Sequence, residues 1–341
     1  MSSNVIGCLP HFLVSSPTPK LLIKSPNKIE LFLTAESQVT PTYSRRWACC
    51  KRTTNSLSLH QAKLFEMEPQ RLAIVNNYGE KLIGVLHDTG SKDLVILCHG
   101  FRASKDHKII LNLSAALKRE GISVFRFDFA GNGESEGSFQ YGNYRREADD
   151  LHAVVLHFSG QKRGISAIMG HSKGGNVVLL YASVYNDIRT VVNVSGRFAL
   201  DGGIEDRLGK DYMQRIKNDG FIDVKDKTGE VEYRVTEESL MDRLTTDMRA
   251  ASLSIDKECR VLTVHGSEDE IVPVSAALEF AKLIPNHKLH IIEGANHVYN
   301  SHQVELASIV LDFLRTGVQQ GNLSQVYLQC PRADKSIYSR I

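Results

Sequence analysis

Short runs of consecutive apolar residues alternate with longer segments of helical periodicity from residue 70 onward. The first two runs, RLAIVNN and KLIGVLHD, flank the turn signal NYGE and predict a hairpin. Later runs that end in or near glycine predict buried strands: DLVILCHG, ISVFRFDFAGNG, ISAIMGHS, TVVNVSG, RVLTVHG and HKLHIIEG. Helical spacing marks the segments that follow them: HKIILNLSAALKREG, YRREADDLHAVVLHF, GGNVVLLYASVY, VSAALEFAKLI and QVELASIVLDFLRTG. This alternation predicts an α/β fold with a mostly parallel, doubly wound sheet over residues 70–316.

Residues 197–258 interrupt this alternation after the predicted sixth strand. They contain one predicted helix, IEDRLGKDYMQRI, a hairpin that turns at Lys227-Thr228-Gly229, and a second helix that Thr236 caps. An insertion at the carboxyl end of a strand predicts a lid over a binding site, and a surface excursion without a role in binding is the alternative. The apolar lid residues favour an apolar or aromatic acyl group, with small esters and lipids left open: Phe198, Leu200, Leu208, Tyr212, Met213 and Phe221.

Both ends of the chain differ from the part between them. Residues 1–65 are rich in Ser, Thr, Lys and Arg, and carry only Glu30 and Glu36 as acids. This composition predicts a disordered leader that acts as an organelle transit peptide, for the chloroplast ahead of the mitochondrion. A start at Met67 would remove the leader and leave the protein in the cytoplasm. Residues 317–341 show no clear period and predict a C-terminal tail.

Composition narrows the classes of partner. The 341 residues are 42% hydrophobic and carry a net charge of +2, which is globular composition without an electrostatic basis for binding nucleic acid. The six cysteines have no metal-ligand spacing, and H-E-x-x-H does not occur. No apolar run reaches the length of a membrane span. We therefore expect no metal, no organic cofactor, no transmembrane segment and no nucleic-acid partner, while the oligomeric state stays open.

Two pentapeptides match G-x-S-x-G, the pattern of a nucleophilic serine on a strand-to-helix turn. In GHSKG, Ser172 follows a strand directly and precedes an apolar helix, whose N-terminus favours negative charge. In GESEG, Ser135 lies in a glycine-rich loop between Glu134 and Glu136, whose charges would oppose an oxyanion. The context therefore predicts Ser172 as the nucleophile and a structural role for Ser135.

A serine nucleophile needs a histidine base and an acid, here in the chain order Ser, acid, His. Asp269 lies in the loop SEDEIVP just past the strand RVLTVHG, and His297 lies in GANHVY after the next strand. Glu268 and Glu270 are alternative acids with longer side chains, which we rank below Asp269.

The remaining elements of the predicted site are backbone donors. The N–H of Lys173, directly after the nucleophile, can donate to an oxyanion, and the N–H of Phe101 in HGFRAS is the second candidate donor. The other histidines near these motifs, His99, His171 and His265, are interpreted as structural.

Five motifs in order, HGFRASKD, RFDFAGNGESEG, GHSKGG, HGSEDEIVP and GANHVY, resemble the motif set of α/β-hydrolases. They are most similar to the serine-aminopeptidase-like, feruloyl (cinnamoyl) esterase-like branch. The resemblance implies Ser172 as nucleophile, His297 as base, Asp269 as acid and the Phe101 and Lys173 amides as the oxyanion hole. It also implies a lid after the sixth strand. The expected function is a serine hydrolase for small-molecule carboxylic esters or thioesters, and a ligand receptor or an acyltransferase on the same fold is the alternative.

Overall fold

A computed structural model describes residues 68–328. The leader predicted over residues 1–65 lies outside the described residues, as do residues 329–341 of the predicted tail. The last helix continues to Leu328, past the boundary predicted at residue 316. Within the described residues, no helix is both long enough and apolar enough to cross a membrane.

Eight strands form one sheet, and its order differs from the order in the chain. The strands are β1 (Gln70–Val75), β2 (Lys81–His87), β3 (Asp93–Cys98), β4 (Ser123–Phe127), β5 (Gly164–His171), β6 (Thr190–Val194), β9 (Arg260–Gly266) and β10 (His287–Ile292). They lie in the order β1-β2-β4-β3-β5-β6-β9-β10. β2 pairs antiparallel with β1 and β4, and all other pairs are parallel. The predicted fold class is thereby confirmed.

Helices cover both faces of the sheet. They are α1 (Lys108–Arg119), α2 (Tyr144–Gly160), α3 (Lys173–Tyr185), α8 (Ser275–Leu283) and α9 (Gln303–Leu328). Val95 and Leu97 of β3 pack with α1 and α9 on one face, while Ile96 packs with α2, α3 and α8 on the other. Because both faces are buried, the strand reads as a continuous apolar run rather than an alternating one.

The segment between β6 and β9 forms α4 (Ile204–Leu208), α5 (Tyr212–Asp219), the hairpin β7 (Phe221–Lys225) and β8 (Val231–Thr236), α6 (Glu237–Thr245) and α7 (Met248–Ser254). One helix was predicted where α4 and α5 stand. Gly209, with φ of 87°, ends α4 because a left-handed residue cannot continue a helix.

Most of this segment has a small apolar core of its own, formed with Tyr141 of the body by residues such as Ile204, Ile222 and Leu240. Met248 and Ala251 of α7 instead belong to the main core. The part of the insertion with its own core is therefore shorter than the predicted lid, residues 197–258.

Candidate active site

Ser172 occupies the sharp turn between β5 and α3, with φ 55° and ψ −120°. Non-glycine residues rarely adopt a positive φ, and such strain concentrates at functional sites. A Cβ on Gly170 would collide with the carbonyl of Gly174, so the close passage of strand and helix requires glycine at this position. The Ser172 N–H donates to Val194 O at 2.8 Å, which ties the turn to the neighbouring strand.

The structure brings Ser172, His297 and Asp269 into one hydrogen-bonded series. His297 Nε2 lies 3.0 Å from Ser172 Oγ, and its Nδ1 lies 2.8 Å from Asp269 Oδ2. Asp269 follows β9 and His297 follows β10, so the carboxyl ends of three strands supply the three side chains. Asp269 and His297 are both buried. This is the arrangement in which a histidine can take a proton from a serine hydroxyl while a carboxylate orients the ring.

The two neighbouring glutamates do not reach the imidazole ring. Glu270 Oε2 accepts from the backbone N–H of His297 at 3.2 Å, and the side chain of Glu268 makes no hydrogen bond within residues 68–328. Asp269 Oδ1 is held by the N–H groups of Ile271 at 3.0 Å and Val272 at 2.8 Å.

The carboxylate of Asp269 stays ionised in this setting. Burial raises its pKa, but hydrogen bonds from His265, His297 and the backbone outweigh that effect and hold the pKa well below the ordinary value. His265 Nε2 lies 3.3 Å from Asp269 Oδ2 and donates to Val272 O at 2.9 Å. The Asp269 carboxylate can therefore stabilise a histidinium that forms at His297.

His171 fixes the loop that carries His297. Its Nε2–H donates to the carbonyl oxygen of His297 at 2.9 Å, and its ring stacks on His107 at a centroid distance of 5.8 Å. Burial and the charge of His297 lower the pKa of His171 to about 3, so the ring is neutral near pH 7. As predicted, this histidine is structural, and the structure adds what it holds.

His99 fixes the loop that carries Phe101. Its Nδ1–H donates to Gly100 O at 2.8 Å and its Nε2 accepts from the N–H of Phe129 at 3.1 Å. A Cβ on Gly100 would lie 3.1 Å from Cβ of Ser172, so this loop passes directly beside the predicted nucleophile. The Phe101 ring packs edge-on against Tyr141, with centroids 5.6 Å apart.

The two predicted oxyanion donors border the same cavity as Ser172. Phe101 and Lys173 both line it, and within residues 68–328 neither backbone N–H donates to a protein acceptor. Lys173 is the first residue of α3, where an N–H has no partner inside the helix. Both amides are therefore available to a ligand in the cavity.

The side chain of Lys173 is engaged elsewhere. Its Nζ donates to Glu147 Oε1 at 2.7 Å, and both side chains are buried. Burial raises the pKa of Glu147, and the Lys173 charge opposes that rise. Sequence reasoning missed Glu147, because no local pattern links a residue in α2 to the start of α3.

Ser135, the serine of the second pentapeptide, is structural. Its Oγ donates to Asp128 O at 2.6 Å and accepts from the N–H of Ile83 at 2.8 Å. The hydroxyl therefore joins the glycine-rich loop to β2, as the sequence context predicted.

The cavity beside Ser172 has a volume of about 250 Å³. Its walls come from the body, from the insertion and from the acid loop, residues 270–272. None of the six apolar lid residues named from the sequence lines it. Instead Leu200 belongs to the main core, Leu208 to the core of the insertion, and Phe221 lies under the Arg234 guanidinium.

The expectation of an apolar lid surface over the site is therefore corrected. The insertion presents three arginines to the cavity, which the sequence analysis did not single out: Arg197, Arg207 and Arg243. No cluster of His, Cys, Asp or Glu within residues 68–328 could hold a metal ion.

Comparisons with known proteins agree with this architecture. Residues 89–227 match the model of a family described as "Serine aminopeptidase, S33". The structure of Est1E from Butyrivibrio proteoclasticus with ferulic acid bound superimposes with a TM-score of 0.64, at 24% identity over 73% of this chain and 99% of that one. The 2-hydroxymuconate semialdehyde hydrolase of Pseudomonas putida is 27% identical over 67% of this chain and 89% of its own length. Lipase 1 of Psychrobacter immobilis is 22% identical over 74% of this chain and 85% of its own length.

Proposed function

We propose that this chain, which belongs to the α/β-hydrolase superfamily, is a serine hydrolase that cleaves carboxylic esters or thioesters through an acyl-enzyme. The observation that carries the proposal is the hydrogen-bonded series from Ser172 Oγ through His297 to Asp269, with contacts of 3.0 and 2.8 Å. The series lies beside a cavity that two free backbone amides border. Esterase, lipase and hydrolase relatives support the same reaction class.

In the first half of the reaction, Ser172 Oγ attacks the acyl carbon while His297 Nε2 takes the hydroxyl proton. Asp269 holds the ring so that Nε2 is free to accept, and it stabilises the imidazolium that forms. The amides of Phe101 and Lys173 donate to the developing oxyanion, and one such donor contributes about 10²–10³ to kcat in a serine protease. As the tetrahedral intermediate collapses, the carbon–oxygen or carbon–sulfur bond breaks and His297 returns the proton to the leaving alcohol or thiol.

In the second half, water replaces the alcohol. His297 takes a proton from the water as its oxygen attacks the acyl carbon, and the same two amides stabilise the second oxyanion. The bond to Ser172 Oγ then breaks, the serine recovers its proton from His297, and the carboxylic acid leaves. The reaction uses the substrate, one water and the side chains described above.

The direct test is labelling of the full chain with a fluorophosphonate probe, which forms a covalent bond with an activated serine. We expect labelling of the wild type and none of Ser172→Ala. Ser135→Ala is the matched control, because it removes the serine of the other G-x-S-x-G pentapeptide and should still be labelled. Circular dichroism of each variant verifies folding. A folded wild type without labelling, or label retained in Ser172→Ala, would contradict the proposal.

We also propose that residues 1–65 direct the chain to the chloroplast, on the basis of their composition. A fluorescent protein fused behind these residues should accumulate in plastids of plant cells. Accumulation in mitochondria, or diffuse fluorescence in the cytoplasm, would support one of the two alternative locations instead.

A further inference from the structure

The wall that the insertion contributes to the cavity is rich in positive charge. Arg197 lies just after β6, Arg207 lies at the end of α4, and Arg243 lies in α6. All three line the cavity that contains Ser172. Arg243 is buried, Arg197 is half-buried, and Arg207 is exposed. The cavity wall therefore contains one buried, one half-buried and one exposed arginine.

Two of these arginines are held in place by contacts with backbone and amide groups. Arg243 donates from Nε to Leu200 O at 2.7 Å and from Nη2 to Gly202 O at 3.1 Å. The backbone of Arg197 is clamped by Asn176, whose amide donates to Arg197 O at 2.6 Å and accepts from Arg197 N–H at 3.0 Å. The Arg197 guanidinium donates to Ile271 O. Such contacts orient the guanidinium groups and leave their charge uncompensated.

Within residues 68–328, none of the three guanidinium groups forms an ion pair with an aspartate or glutamate. The two carboxylates that line the cavity, those of Asp206 and Glu270, belong to exposed residues. Lys173, the remaining cation of the lining, is already neutralised by Glu147 at 2.7 Å. Within the described residues, the arginines of this wall therefore carry positive charge that no direct ion pair compensates, although the ionised Asp269 carboxylate acts on Arg197 from nearby.

This arrangement costs free energy in the absence of a ligand. Buried charges are normally paired, and like charges in one cavity repel each other. Burial and the charges of Arg243 and Arg207 lower the pKa of the Arg197 guanidinium, and Tyr144 and Asp269 oppose that shift only in part. A bound anion would relieve the repulsion and accept the remaining N–H donors. Guanidinium groups pair well with carboxylates, because their forked donors match the two oxygens.

We propose that Arg197, Arg207 and Arg243 form a subsite for a carboxylate of the substrate, so that the preferred substrates are esters that carry a free carboxylate away from the bond that is cleaved. The inference rests on the proposed hydrolase function and specifies its substrate class. Three guanidiniums and two carboxylates line the cavity, which leaves a single net positive charge and matches one carboxylate. The carboxylate belongs either to the acyl part or to the alcohol part of the ester.

The test compares charged and neutral esters of equal length on the full chain. Monomethyl glutarate, adipate and suberate carry the carboxylate in the acyl part. Each is paired with the methyl ester of the monocarboxylic acid that has the same number of carbon atoms. 4-Acetoxybenzoate carries it in the leaving group and is paired with phenyl acetate. We expect kcat/KM to be higher for the charged member of at least one pair, and that pair identifies the part of the ester that enters the subsite.

The variants Arg197→Gln and Arg207→Gln should each lower the charged-to-neutral ratio of kcat/KM about tenfold or more, as the loss of a charge-assisted hydrogen bond does. Arg249→Gln is the matched control. It removes the same charge from an exposed position on α7 outside the cavity lining, so the ratio should stay at the wild-type value. Because Arg197→Gln and Arg207→Gln are both tested, the test remains valid if one of the two variants fails to fold.

Two results would overturn the subsite. The first is a wild type that cleaves the neutral esters and shows no preference for any charged partner, which leaves the serine hydrolase standing. The second concerns binding and needs no turnover. At least one of two probes, monomethyl adipate or 4-acetoxybenzoate, should raise the melting temperature of Ser172→Ala. Adding Arg197→Gln to that variant should abolish the rise. If neither probe stabilises Ser172→Ala at saturating concentration, the subsite does not exist.

Discussion

Replacing Asp269 by Asn tests the proposed chemistry more sharply than removing the nucleophile, because the side chain keeps its shape. In the wild type, Oδ1 accepts from the N–H groups of Ile271 and Val272, and Oδ2 lies 2.8 Å from His297 Nδ1. The new amide oxygen must remain at the Oδ1 position, since only an oxygen can accept from those two N–H groups. The amide nitrogen then faces His297 Nδ1 and donates to it.

The consequence is the wrong tautomer of His297. With Nδ1 as an acceptor, the neutral ring carries its proton on Nε2, which lies 3.0 Å from Ser172 Oγ and can no longer take the serine proton. The same substitution in a Ser-His-Asp protease lowers kcat by about 10⁴. At about 1.36 kcal/mol per tenfold, this corresponds to about 5 kcal/mol of activation free energy.

The assay is the release of 4-nitrophenolate from 4-nitrophenyl butyrate, followed by absorbance for the wild type and the variant. Glu270→Gln is the matched control, because Glu270 accepts only from the backbone N–H of His297 at 3.2 Å and is exposed. We expect Glu270→Gln to retain activity within about tenfold. If Asp269→Asn keeps wild-type kcat, or if Glu270→Gln suffers the larger loss, the assignment of the acid is wrong.

Three further predictions concern stability. Gly170→Ala should destabilise the fold by about 1–3 kcal/mol or more, because its methyl group meets the carbonyl of Gly174, and denaturant unfolding with an unchanged m-value measures this. Glu147→Gln should lower the free energy of unfolding by about 3–5 kcal/mol, because it leaves the Lys173 ammonium buried without a counter-ion. Glu147→Leu combined with Lys173→Met should recover much of that loss in the same measurement, and equal instability of the single and double variants would contradict this. The pKa of Asp269 is lowered in the folded state, so its stabilisation is complete above the unfolded value of about 3.9 and is lost as pH falls toward the folded value. The free energy of unfolding should therefore decline less between about pH 5 and pH 3 in Asp269→Asn than in the wild type.

Much of the fold follows from local pattern, because burial on both faces of the sheet leaves a continuous apolar run such as LVIL in β3. The grouping of Ser172, Asp269 and His297 can also be predicted from the sequence, because it depends only on where each residue stands relative to a strand. Each residue lies just past the carboxyl end of a strand, and parallel strands bring those ends to one edge. The order of the strands, with β4 outside β3, is a property of the crossover connections and has no signature in any single run.

The specificity of the site lies beyond such local rules. Arg197, Arg207 and Arg243 belong to three different elements, and in the sequence each resembles any charged residue of a solvated surface. Their significance appears only when the insertion folds on its own apolar core and turns them toward Ser172. That core also explains why the apolar residues of the insertion misled sequence reasoning, since Leu208 and its neighbours pack inside the insertion instead of lining the cavity. An apolar residue in a predicted lid can either line the binding site or pack in the core of the lid itself, and only the folded structure distinguishes these two roles. Arg243 is different, because it is buried and forms no ion pair within residues 68–328. A folded chain retains buried charge without a counter-ion chiefly where a ligand supplies it.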